Sequence, residues 1–357
     1  MKNNYSNRNP FSKRSPYIHY MKKVLFFTGL FLLRFSAFAQ SADSLHKVAK
    51  NYMWSGDYSN AIVVLGIALK AAPDDLAIEK DLAFSYYLQS NFSASVEEGR
   101  KLIERKDADE QCYQILGMAY KAIEEKKEAD KMYRQGIKKF PNSGELYNEY
   151  GEMLWMKKDP EAIRLWEKGI EVDPSYSSNY YNACKYYYFT YDKVWTLLYG
   201  EIFVDLESYS SRTPEIKSLL VDGYKKLFMD LKAPKTQANK NPFVAAYLNV
   251  MADQSSAISL GLTPESLNIL RSKFILEWFD KYAGKYPFRL FDYEQQLMKE
   301  GLFDAYNQWV FGASMGLAAF QSWTATHTDD YNRFISFQKG RVFKLPPGQY
   351  YRASVAK

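Results

Sequence analysis

Acid–base, metal and nucleophilic chemistry draw on His, Cys or converging carboxylates, and this 357-residue chain holds only three His and two Cys. His19 lies in a segment that reads as a leader, which leaves His46 and His327. Two histidines and two cysteines are too few for a zinc site of Cys and His ligands, and awkward for a triad that uses several histidines. Carboxylates gather at Asp292, Glu294, Glu300 and Asp304, and His327 stands close to Asp329 and Asp330. Both sets hold the residue types for acid–base work or for an ion, yet neither has a recognised spacing. Acids on helices are expected as solvated faces, and a histidine beside two Asp as a surface or capping feature. No Gly-rich phosphate loop, nucleophile elbow or metal motif occurs, so the expectation is a chain without metal, cofactor or catalytic residue.

What positions these residues begins after a leader. Lys22 and Lys23 precede an apolar run from Val24 to Leu33, and Ala37-Phe38-Ala39 supplies small residues, the layout of a secretory signal cleaved after Ala39. The apolar run between Lys23 and Arg34 is about half the roughly 20 residues of a spanning helix. A periplasmic or secreted location is therefore expected, with no membrane span once the signal is removed. Residues 1–20 read as the product of a start assigned too early. Residues 1–39 contain seven Lys or Arg and no acid, so the formal charge of +6 becomes −1 without them. A basic face for nucleic acid is not expected.

Beyond the leader, small residues recur at Ala49, Ala83, Gly117 and Gly151, 34 apart each time. Tyr52, Tyr86, Tyr120 and Leu154 follow three positions later. Ala61 and Ala129, Leu65 and Tyr133, and Pro73 and Pro141 repeat downstream, with Ser95 and Gly99 in a looser second unit. Ala162, Trp166 and Pro174 arrive one residue early, as a deletion near Lys158-Asp159-Pro160 would produce. In this shifted frame Tyr180, Ala183, Cys184 and Tyr187 begin a fifth unit whose second helix, near Val194 to Leu206, looks degenerate. Two antiparallel helices approach closely where one offers Ala or Gly and the other a large side chain.

In this pattern of small, Tyr, Ala, aromatic and Pro, the chain resembles the tetratricopeptide repeat (TPR) family over residues 42–208. The resemblance implies an all-α fold: a TPR-type alpha-solenoid of about five helical hairpins, followed over 209–357 by a mostly helical capping module. Cys112 and Cys184 then fall in the third and fifth repeats, too far apart for a disulfide, and read as small buried residues. The resemblance further implies that first helices line a concave surface carrying Met53, Trp54, Phe84, Tyr87, Leu88, Met118, Trp155, Met156, Tyr188 and Phe189. Such aromatic and Met-rich surfaces suit a peptide or protein partner. One subtype of the family grips terminal carboxylates with basic residues, but the matching places hold His46, Lys50, Asp81, Gln111 and Ile115, so that clamp is largely missing.

Past residue 208 the period is lost. Thr213-Pro214-Glu215 and Thr263-Pro264-Glu265 each read as a cap, a first-turn Pro and an acid at a helix start. Helices are expected over Phe291–Lys299, Leu302–Phe311 and Leu317–Phe337, a loop over Ala233–Asn241, and a strand or extended tail at Arg341–Leu345. Phe303-Asp304-Ala305-Tyr306-Asn307 with Trp309, and Phe337-Gln338-Lys339-Gly340-Arg341, resemble the C-terminal part of an uncharacterised group of secreted bacterial TPR proteins, which brings no activity with it.

Three functions follow as expectations: a non-enzymatic scaffold that binds a protein or peptide in its groove, a hydrolase in the C-terminal module with the repeats as its substrate arm, and a structural subunit of an envelope complex. Whether the groove stands open or is filled by the chain's own C-terminal residues is left open by the sequence.

Overall fold

The computed structural model describes residues 42–231 and 241–352. The leader and cleavage point, and most of the 233–241 loop, lie outside the described residues. These divide into two compact units that meet in sequence between Glu124 and Glu125. All regular structure is helical among the described residues, as the repeat pattern implies.

The first unit holds α1 (42–54), α2 (Tyr58–Ala71), α3 (Leu76–Leu88), α4 (Phe92–Glu104) and α5 (Glu110–Ala122). Short polar residues start these helices by accepting backbone N–H groups that have no partner within the helix. Asp57 caps α2, Asp75 caps α3 through Ala77 and Ile78, Asn91 caps α4, and Asp109 caps α5. Ala49 and Ala83 are fully buried, as their slots require.

Turns between paired helices carry a second, less visible period. Gly56, Ser90, Glu124 and Lys158 all take positive φ, from 57° to 79°, and stand 34 apart. Only the first is glycine, the residue that favours this region.

The second unit begins with α6 (Lys126–Lys139), α7 (Gly144–Met156), α8 (Ala162–Val172), α9 (Ser177–Tyr188) and α10 (Lys193–Leu206). Gly151 of α7 faces Trp166 of α8, and an added Cβ would lie 2.7 Å from the indole Cδ1. The helix expected near Val194 to Leu206, where the repeat pattern degenerates, is α10, and it is almost wholly buried. The next helix, α11 (Thr213–Leu231), packs on both α9 and α10. Its side chains meet α9 at the same interval of 34: Tyr181 donates to Glu215 and Tyr188 to Asp222, each at 2.5 Å. The small-residue motif ends before α11, but the stacking does not.

Next come α12 (Pro242–Asp253), a 3-10 turn at Ser255–Ile258, α13 (Pro264–Lys281), α14 (Arg289–Lys299), α15 (Phe303–Asn307), a π turn at Gln308–Gly312, α16 (Ala313–Met315), α17 (Leu317–Thr326) and α18 (Thr328–Lys339). Thr263 forms a capping box with Ser266 ahead of Pro264, as expected. Thr213 does not cap: it lies inside α11, and its hydroxyl donates to the Glu207 carbonyl at 2.6 Å. The single helix expected over Leu317–Phe337 is two, broken at His327. Asp329 and Asp330 in the first turn of α18 favour a new start there through the helix dipole. Arg341–Leu345 forms no strand; it is an extended segment that buries Phe343 and Leu345.

Candidate functional site

Three first helices of the first unit, α1, α3 and α5, line a groove of about 440 Å³. Repeat spacing puts matching positions side by side: Lys50, Phe84 and Met118 occupy one slot, Trp54 and Leu88 a second, Asp81 and Ile115 a third. Met53, Lys80, Gln111 and Gln114 complete the lining. Of the groove residues expected in this unit, Met53, Trp54, Phe84, Leu88 and Met118 come together here. Tyr87 is not in the lining; its ring lies between those of Phe84, at 6.1 Å, and Phe92 of α4, at 5.6 Å. Trp54 is 81% exposed, an uncovered indole on the rim.

The lysines are already engaged by acids. Asp81 meets His46 Nε2 at 2.6 Å and Lys50 Nζ at 3.8 Å. Lys80 pairs with Asp109 and donates to Gln111 Oε1 at 2.8 Å. An incoming carboxylate would have to compete with Asp81 and Asp109 for these cations, whereas apolar side chains find Met53, Phe84, Leu88, Ile115 and Met118. The positions noted in the sequence as a depleted carboxylate clamp, Lys50, Asp81, Gln111 and Ile115, are thus groove positions with a different chemistry. The Lys80 and Gln114 pair was missed, although its spacing of 34 was readable.

Trp155, Met156, Tyr188 and Phe189 belong to the second unit. Trp155 packs against Trp166 and Tyr186, with ring centroids 6.0 and 5.6 Å away. Tyr188 is held by α11, through Asp222 and through Lys226, whose Nζ lies 3.8 Å from its ring centroid. Met156 and Phe189 are more than 70% exposed. The C-terminal segment packs elsewhere in this unit: Tyr351 stacks on Phe243 at 4.5 Å, and Arg352 donates to Tyr187 Oη at 2.9 Å. It leaves Met156 and Phe189 open.

The acids and histidine expected as solvated features separate into different environments. His327 is exposed and stacks on Trp323 with centroids 4.5 Å apart. Asp329, Asp330 and Glu300 are exposed as well. Asp304 is half-buried and accepts from Asn268 at 3.2 Å; burial raises its carboxyl above the ordinary range. Asp292 is also half-buried and raised by burial.

Glu294 overturns the expectation of a solvated face. It is 3% exposed and lies 3.1 Å from the Arg271 guanidinium, which also pairs with Glu201. The signal was present: Glu294 sits between Phe291 and Leu297 on the buried stripe of α14, and Arg271 between Leu270 and Phe274 on α13. Among the described residues no group of three His, Cys, Asp or Glu could hold a metal ion. Both cysteines are buried and free. Burial pushes the Cys112 thiol up to about 12 and raises that of Cys184 as well.

No protein-family model matches the chain, and the comparison with curated proteins gave no match. Among solved structures, the chain is similar to TTC0263, a thermophilic TPR protein of Thermus thermophilus, at 15% identity, with 52% of this chain and 99% of that chain covered and a TM-score of 0.42. It is also similar to MamA at 20% identity, covering 52% and 97% with a TM-score of 0.34. A third is YrrB, described as a TPR protein with an unusual peptide-binding site, at 15% identity, covering 51% and 97% with a TM-score of 0.35. These likenesses span about half of this chain, and the function proposed next rests on the groove rather than on them. Among the described residues no helix is long and apolar enough to cross a membrane.

Proposed function

We propose that the chain is a non-enzymatic interaction scaffold, exported to the cell envelope, whose groove over α1, α3 and α5 binds a peptide or protein segment through apolar side chains. The observation that carries this reading is the groove itself: about 440 Å³, floored by Met, Phe, Leu and Ile and rimmed by an uncovered Trp54. Rigid aromatics and adaptable methionines give contact area for partner side chains. Because Asp81 and Asp109 neutralise the groove lysines, the favoured partner presents apolar residues inside a segment rather than a terminal carboxylate. Gln111 and Gln114 are placed to meet its backbone amides.

Selection of displayed random peptides on residues 40–357 tests the groove. Enriched peptides should share apolar anchors, and Trp54→Ala with Phe84→Ala should weaken them at least about tenfold, the effect of losing one strong anchor, while leaving the thermal melt unchanged. Unaltered affinity in the folded double variant would refute the assignment. Export rests on the Met21–Ala39 pattern and is checked by sequencing the mature N-terminus from fractionated cells, where Gln40 is expected first.

A further inference from the structure

The groove over α1, α3 and α5 has a pitch, because each hairpin brings the same slots to it one repeat further on. Phe84 and Met118 share one slot, Trp54 and Leu88 another, Asp81 and Ile115 a third. Packed helices lie about 8–10 Å apart, and α3 packs on α5. A segment crossing the three first helices therefore meets like positions at intervals of about 8–10 Å, and spans about 16–20 Å from α1 to α5.

One regular conformation keeps its side chains in step with that pitch and leaves its backbone open to the groove. In a strand successive side chains alternate, so those on one face fall about 6.7 or 13.4 Å apart. An α-helix returns to the same face after about seven residues, or about 10.5 Å, but its carbonyls are taken by its own N–H groups. A polyproline II segment has three residues per turn and a rise of about 3.1 Å, so every third side chain faces the same way at intervals of about 9.3 Å, with no internal hydrogen bonds.

The polar groups of the groove call for carbonyls. Asp81 already meets His46 and Lys50, and Asp109 meets Lys80 and the Cys112 N–H of α5. The donors are less committed. Lys50 stands 3.8 Å from Asp81, close enough to pair and too far to donate. Gln111 gives its Oε1 to Lys80, so its NH2 is what it offers a partner. The exposed Trp54 carries an indole N–H and no acceptor. Proline suits such a wall, since it presents a carbonyl and no N–H. Charge of either sign does not suit it: an acid would compete with Asp81 and Asp109, and a base with Lys50 and Lys80.

Taking peptide binding in this groove as given, we propose that the partner segment is an uncharged, proline-containing stretch of about seven residues in polyproline II form, with an apolar side chain at every third position, one for each hairpin. The first anchor rests on Met53 and Trp54, the second on Phe84 and Leu88, and the third on Ile115 and Met118. The residues between anchors turn their carbonyls to Lys50, Gln111 and Gln114. Because this conformation is populated before binding, little ordering cost is added.

Two peptides of identical composition, three Leu and four Pro on the same dye-labelled Gly-Ser linker, test the pitch by fluorescence anisotropy on residues 40–357. Leu-Pro-Pro-Leu-Pro-Pro-Leu sets anchors at every third residue, and Leu-Pro-Leu-Pro-Leu-Pro-Pro at every second. The first should bind at least about tenfold tighter, the effect of one strong anchor, and should lose that advantage in Trp54→Ala with Phe84→Ala. Replacing its four Pro by Ala frees φ and restores four N–H groups, and should weaken it at least about tenfold. Equal or tighter binding of the second peptide, equal or tighter binding of the Ala peptide, or no binding by any of the three overturns the proposal. Apolar peptides that depend on Trp54 and Phe84 but follow no three-residue period would remove it while leaving groove binding intact; peptides indifferent to both residues would remove the two together. If the double variant fails to fold, the comparison of peptides on the native chain decides alone.

Discussion

Replacing Gly151 with alanine sets two effects of known size against each other. Alanine is the better helix former, by about 1 kcal/mol in a helix interior. Against this, the new Cβ would stand 2.7 Å from Trp166 Cδ1 and 2.9 Å from Cε2, so the α7 and α8 backbones must part by about 1 Å to reach ordinary contact near 3.5–4.0 Å. The indole cannot turn aside. It is 1% exposed, its Nε1 donates to the Asn148 carbonyl at 3.3 Å, and Trp155 packs against it. Overpacking of this kind costs about 1–3 kcal/mol, so the net result is a loss of up to about 2 kcal/mol. In a Trp166→Phe background the pyrrole edge is gone and the added methyl enters vacated space, so the same substitution should be neutral or stabilising. The coupling between the two sites is then about 1–3 kcal/mol. Urea denaturation of the four proteins, followed by helical circular dichroism, measures it in the transition of the unit that holds residue 151. If Gly151→Ala stabilises the native protein by about 1 kcal/mol and the coupling lies within about 0.5 kcal/mol, close helix approach is not what this glycine provides.

Two further outcomes follow from positions the repeat logic did not flag. Ser90, Glu124 and Lys158 hold positive φ with a Cβ present, a cost of about 1–2 kcal/mol that glycine relieves, less about 0.5–1 kcal/mol for its freer unfolded chain. Each →Gly substitution should therefore raise stability by up to about 1.5 kcal/mol, and a drop in urea midpoint at any of the three would contradict the turn geometry. Arg271→Met leaves Glu201 and Glu294 buried without their shared guanidinium. Stability should fall by about 3–5 kcal/mol, and Glu201→Gln with Glu294→Gln should recover part of it; a loss below about 1 kcal/mol would mean that the pair is solvated.

How much of this was readable in the sequence depends on whether a residue's surroundings are set locally. The repeat was legible because close packing of neighbouring helices needs a small residue at one fixed offset, and Ala49, Ala83, Gly117 and Gly151 keep that offset whatever lies further along the chain. The same spacing carried Met53, Trp54, Phe84, Leu88 and Met118 into one groove. Tyr87, in the same repeat slot as Met53, is drawn instead onto Phe84 and Phe92, a neighbour contact that the spacing does not encode.

The buried acids failed for another reason. Arg271 and Asp205 are kept inside by partners 70 and 136 residues away along the chain, Glu201 for Arg271 and Arg341 for Asp205. No local window contains both members of such a pair, so a charged residue on an apolar stripe reads as an exception to the stripe. It is better read as a demand for a counter-charge elsewhere, since burial without one costs several kcal/mol. Applied to α10, α13 and α14 together, that demand sets the internal acids Glu201, Asp205 and Glu294 against Arg271 and Lys193, with Arg341 beyond these helices pairing with Asp205. Charge accounting across buried stripes therefore recovers from sequence what helical spacing alone does not.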